Sequence, residues 1–146
     1  MPREEFMRMA IEKAREGLAQ GQWPYGACLV KQDKVVACVH NVTRANMDPT
    51  GHAETHALRE GCLSLNSLDL TGYEMYATCE PCPMCFAACH NAGVSTIVYG
   101  ASLVDSPSGG ERSSVVTALQ MKELLASRID IVGGFLRDEV IRLYGS

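Results

Sequence analysis

The 146-residue chain has no excess of basic residues: 13 Lys and Arg stand against 17 Asp and Glu, for a net charge of −4. That balance lacks the electrostatic footprint of a nucleic-acid binder, although a local basic patch is compatible with it. Also missing is an apolar run suited to a membrane, because the uncharged stretch that begins at Pro81 is broken by Pro83, Gly93 and Gly100. The opening Met1-Pro-Arg-Glu-Glu-Phe places acids where a secretory leader has basic and then apolar residues, so the expected location is the cytoplasm. There are no internal repeats, linkers or low-complexity tracts. With 47% hydrophobic and 21% charged residues, the composition predicts one globular domain, residues 1–146, that can bury a core without staples.

Against these absences stands one surplus, seven cysteines at positions 28, 38, 62, 79, 82, 85 and 89. In a reducing compartment they are expected as core residues, metal ligands or catalytic groups before a disulfide framework. Cys28, Cys38 and Cys62 lie in apolar strands or at a helix end and read as core. The other four fall within eleven residues, 79–89.

Hydrophobic periodicity predicts an amphipathic helix over 5–19, with Phe6, Met9, Ala10, Ile11, Ala14 and Leu18 on its apolar side. Two short strands, 27–30 and 35–39, follow as a hairpin joined by Lys31-Gln-Asp-Lys. Residues 41–50 read as a polar loop. Helices are expected at 52–62, 83–91, 117–127 and 135–144, and strands at 73–78, 95–100 and 129–132. A hairpin followed by alternating units predicts a three-layer α/β/α sandwich around a five-stranded mixed sheet.

Two short motifs carry the chemistry. His52-Ala53-Glu54 lies at a loop-to-helix junction, and Pro81-Cys82-Pro83-Met84-Cys85 at a strand-to-helix junction. A spacing of three at a helix start puts both sulfurs on one side, and Pro83 fits the first helical turn. The helix N-terminus favours thiolates over thiols. With His52 as third ligand, one nitrogen and two sulfurs suit Zn²⁺ and leave a fourth position for water, as in catalytic zinc sites. Glu54, two residues past His52, can point into the same cavity without ligating and move protons there. Such a pair is suited to hydrolytic attack on an amidine carbon of a heterocycle, with loss of ammonia.

Three other readings compete. Cys79, Cys82, Cys85 and Cys89 also spell a spacing found in iron–sulfur proteins, but His90 follows the last of them and the run from Pro83 reads as continuous helix. A zincin would need Glu directly after His52, where Ala53 stands, leaving His56 to the core or the pocket. A purely structural zinc would need a fourth ligand such as Cys79 or Cys89.

His-x-Glu followed by Pro-Cys-x-x-Cys is the signature of zinc nucleobase deaminases, and the chain resembles the cytidine/deoxycytidylate deaminase superfamily from Ala10 to Tyr144. The resemblance implies zinc as cofactor, Glu54 as proton shuttle and a homodimer or larger assembly. The loop Asn41-Val-Thr-Arg-Ala-Asn-Met-Asp-Pro-Thr is similar to the stretch before this motif in bacterial guanine deaminases. Asn41 would hydrogen-bond the base there, and backbone N–H groups near Ala53 and Cys82 would hold a substrate oxygen. Tyr25 is a candidate for stacking on the ring, and Glu111 for reading an exocyclic amine. Asn91 stands where guanine deaminases tend to have Trp, and the ending Phe135-Leu-Arg-Asp-Glu-Val looks more like the cytosine and tRNA adenosine deaminases. Since an RNA partner calls for clustered Lys and Arg, the expected partner is a small nucleobase: guanine first, cytosine or a related aminoheterocycle next, tRNA last.

Overall fold

The computed structural model describes residues 1–107 and 115–145. Five strands form one mixed sheet in the order β2-β1-β3-β4-β5: β1 (Gly26–Lys31), β2 (Lys34–His40), β3 (Glu74–Cys79), β4 (Thr96–Ala101) and β5 (Asp130–Val132). β1 pairs antiparallel with β2 and β3, while β3–β4 and β4–β5 are parallel. The parallel pairs are joined by crossover helices, which cover the sheet.

Period-2 alternation sorts side chains between two cores. Ala27, Leu29, Met75 and Ile97 face a layer built by α3 (Ala53–Leu65), α4 (Pro83–Ala92) and the start of α5 (Ala118–Leu124), with Ala53, Ala57, Leu58, Phe86, Cys89 and Ala118 packed on them. Cys28, Val30, Tyr76 and Val98 face α1 (Glu4–Ala19) and the C-terminal α6 (Arg137–Ile141). The expected three-layer sandwich is the observed fold. α1 buries Phe6, Met7, Ala10, Ile11 and Ala14, whereas Met9 and Leu18, expected inside, are exposed.

Several local expectations need correction. The stretch 41–50 is not all loop: α2 (Thr43–Asn46) forms one helical turn that ends at Met47 in the left-handed region, φ 48°. The hairpin turn is Gln32-Asp33 alone, since Lys31 already pairs with Lys34. The last helix begins at Arg137 rather than Phe135, because Gly134 and Leu136 both take positive φ (75° and 54°), and a 3₁₀ turn, Arg142–Tyr144, follows it.

Cys28 and Cys38 are not independent core residues but form a disulfide across β1 and β2. The pairing depends on a bulge. From the turn, Val30 faces Val35, but the register then shifts, so that Leu29 faces Ala37 and Cys28 faces Cys38. Without that extra residue Cys28 would sit opposite Ala37. Cys62 remains a free thiol, partly buried against the first core, and burial pushes its pKa up.

Candidate metal centre and active site

Two helices begin side by side, and each brings a ligand at its first residue boundary. His52 is the N-cap of α3 and Cys82 the N-cap of α4, both in extended backbone and neither side chain capping its own helix. Imidazole and thiol are therefore directed into the space between the helices. Pro83 opens α4 where no N–H is needed, and Cys85 completes the first turn. His52 Nδ1 lies 3.7 Å from Cys82 Sγ and 3.5 Å from Cys85 Sγ, and the three donor atoms all lie within 4.8 Å of one another. A tetrahedral zinc with ordinary bonds to nitrogen and sulfur sets N···S edges of about 3.6 Å. The donor set and its spacing therefore fit Zn²⁺. Among the described residues this is the group of three or more His, Cys, Asp or Glu side chains suited to a metal; Cys79 and Cys89 do not join it.

The thiols are electrostatically unequal. Donation from the Cys85 S–H, helped by His52, holds Cys82 down to about 4. Cys85 is correspondingly pushed up by its bond to Cys82, by burial and by the charge of Glu54. One thiolate thus stands ready at the helix start. Glu54 is buried in the first turn of α3, and its charge raises Cys85, Cys79 and Cys89.

The other expected residues distribute as follows. Ala53 is fully buried at the first position of α3. Asn41 is fully buried just past β2; its N–H donates to Tyr25 O at 3.0 Å, and its Oδ1 accepts from Thr43 N and Thr43 Oγ1 at 3.0 and 2.8 Å. That oxygen thus shapes the turn into α2. Tyr25 shares a hydrogen bond of 2.6 Å with Ser106 Oγ, and its ring meets Tyr144 edge-on at 6.3 Å. Glu111 lies outside the described residues.

The sequence reading missed Ser106 and Tyr144. Cys79 is held near 12 by burial and by Glu54, with Tyr144 and Ser106 as its other polar neighbours. Burial pushes the pKa of the Tyr144 hydroxyl far up, with Cys79 as its polar neighbour. The signal for Tyr144 was present as an aromatic in the last helix, but only the 3₁₀ turn brings it back to Tyr25. The remaining histidines are structural. His56 Nδ1 bonds His40 O at 3.0 Å with its Nε2 toward Glu60, and His90 Nδ1 bonds Ser127 Oγ at 3.1 Å. Since His56 is held this way, it does not join His52 in a zincin pair.

Comparison with known proteins places this geometry in context. The family profile of the cytidine and deoxycytidylate deaminase zinc-binding region matches residues 1–101. The tRNA-specific adenosine deaminase of Aquifex aeolicus is 36% identical over 110 residues, 75% of this chain and 72% of that protein. The guanine deaminase of Bacillus subtilis is 35% identical over 117 residues, 80% of this chain and 75% of that protein. A solved structure from work on A-to-I editing by tRNA:A34 deaminases superposes with a TM-score of 0.84 at 32% identity, covering 97% of this chain and 99% of that one.

Proposed function

As the chain belongs to the cytidine and deoxycytidylate deaminase zinc-binding family and is a deaminase, we propose that it removes the exocyclic amine from a free nucleobase, guanine before cytosine or a related aminoheterocycle. His52, Cys82 and Cys85 are the residues that would hold Zn²⁺. Bound there, zinc supplies the Lewis acidity that makes water nucleophilic near neutral pH. Glu54 would take one proton from the attacking water and pass it to the ring nitrogen, then take the second from the hydroxyl added at carbon and give it to the departing amine. The C–N bond breaks, a carbonyl forms and ammonia leaves. Asn41 and the N–H of Ala53 hold the polar edge of the ring, and Tyr25 packs beside it.

The observation that carries the choice of a free base is how three of the described arginines are used. Arg137 makes a two-pronged pair with Asp105 at 2.8 and 2.9 Å, beside Ser106. Arg59 is bound to Thr50 and faces Asp48, and Arg44 lies over the Trp23 ring. Cations already engaged by the chain's own groups make a poor track for phosphates, and the net charge of −4 adds to this.

A second reading, deamination of adenosine in tRNA, is favoured by the match to the tRNA:A34 deaminase structure over nearly the whole of both chains. An ammonia-release screen with zinc-loaded protein separates the two. It would include guanine, cytosine, isocytosine, adenine, their nucleosides, triazines and a tRNA anticodon stem-loop. Turnover of a free base is expected; turnover of the RNA alone would replace the first reading with the second.

A further inference from the structure

Glu80 is a buried carboxylate that the reaction does not use. It stands between β3 and Cys82, with its own N–H bonded to Ala101 O at 2.7 Å. Its Oε1 accepts from Leu103 N at 3.2 Å and Oε2 from Ala118 N at 2.8 Å. Leu103 lies just after β4 and Ala118 opens α5, so one carboxylate grips both ends of the connection between them. Bonds to a charged acceptor are the stronger kind, and burial leaves water a poor substitute for them.

The start of that connection forms part of the wall beside the site. Asp105 turns back to accept from Ser102 N and Oγ, both at 3.0 Å, and pairs with Arg137 of α6. The next residue, Ser106, bonds Tyr25 at 2.6 Å, and Tyr25 packs against Tyr144. A short chain of contacts therefore runs from Glu80 through the Leu103 backbone to Ser106 and Tyr25. Glu80 itself is two residues from the ligand Cys82. We propose that Glu80 is a positioning residue: its carboxylate fixes the Tyr25–Ser106 wall relative to the metal-holding junction and so sets how well the substrate ring fits. The inference rests on the reading that the ring lies beside Tyr25.

The physical expectation concerns populations. If the wall is in place only a fraction of the time, apparent affinity falls by that fraction while the chemistry of correctly bound substrate is unchanged. Glu80→Gln keeps the shape but turns one acceptor into a donor facing a backbone N–H. With the base identified by the screen, the variant should keep one zinc per chain and a kcat within about threefold, while KM rises about tenfold. In a Ser106→Ala background the same change should alter KM by less than about twofold, because the link it acts through is already cut. An unchanged KM, a loss confined to kcat, or equal effects in both backgrounds would overturn the proposal.

A second measurement needs neither substrate nor a variant that folds. In the wild-type protein, native-state hydrogen exchange should show the Leu103 and Ala118 amides protected like those of the sheet. Exchange at the rate of an open loop would sink the proposal even if the screen succeeds. Protection with no base turned over would leave the carboxylate's grip standing and refute its role in fitting a free base.

Discussion

Replacing Gly26 by alanine should lower stability by about 3 kcal/mol, at the upper end of the usual range for overpacking. The magnitude follows from what surrounds the first residue of β1. A Cβ there would sit 2.0 Å from Ala10 O, 2.9 Å from Ala14 N and 3.0 Å from Ala10 C. All three are backbone atoms of α1, so no side-chain rotation relieves the contact. The helix must retreat by about 1 Å, which forfeits a quarter to a half of the contact energy along its face. Phe6, Met7 and Ile11, each at most 3% exposed, make up that face. At an unfolding entropy of about 2.1 cal/mol/K per residue, the loss corresponds to a Tm lower by about 10 °C. Thermal denaturation followed by circular dichroism reads this directly. The zinc content should stay at one per chain, because the ligands hang from α3 and α4 on the opposite face of the sheet. Activity should fall, since Tyr25 is the adjoining residue. A Tm within about 2 °C of wild type would refute the packing argument.

Four other outcomes are expected. Glu54→Gln should keep its zinc and lose ammonia release by roughly 10²–10⁴-fold, the range for a displaced general acid–base; full activity would remove Glu54 from the mechanism. Asp105 is held well below the usual carboxylate range, first by the Arg137 guanidinium and then by the Ser102 N–H and hydroxyl. Its stabilising effect is therefore present above the ordinary aspartate pKa of about 3.9 and is lost as pH falls through its own lower value. Arg137→Met should show a stability deficit in urea that is constant from about pH 5 to 8 and narrows as acid protonates Asp105 in the variant, where only the Ser102 bonds still hold its pKa down, and a gap that never narrows on acidification would contradict the assignment. Alkylation of the denatured, unreduced chain should label five thiols, rising to seven after reduction. With a separation of ten residues, loss of the Cys28–Cys38 bond should cost about 2–3 kcal/mol on the chain-entropy account.

The metal centre was legible because its parts are local. His52 and Glu54 are two apart, Cys82 and Cys85 three apart, and each pair sits at a helix start marked by turn residues or proline. What lay beyond reading required distances between elements. The disulfide depends on a one-residue bulge in β2, and no composition signal marks Val36 as the extra residue. Short connections were harder than long elements: the turn of α2 hides in a run of Asn, Thr, Asp and Pro that favours loops. Glu80 was visible as an acid in an apolar stretch, yet its partners are two backbone amides 23 and 38 residues away. Tyr144 meets Tyr25 only because the chain folds α6 back against α1 and the sheet.

The groups assigned to chemistry stand where one regular element hands over to the next or in the first turn beyond: Tyr25 before β1, Asn41 after β2, His52 and Glu54 at the start of α3, Cys82 and Cys85 at the start of α4. The strand interiors contribute none. An exposed junction side chain can be exchanged without repacking a layer, so a library confined to positions 44–48 and 103–104, which leaves the buried Asn41 and the Arg137-bound Asp105 in place, should hold most of its members above the stability threshold. Selection for a new heterocycle could then explore the mouth of the site at little cost in folding. Variation spread evenly along the chain would lose most of its members to unfolding before any were tested for activity.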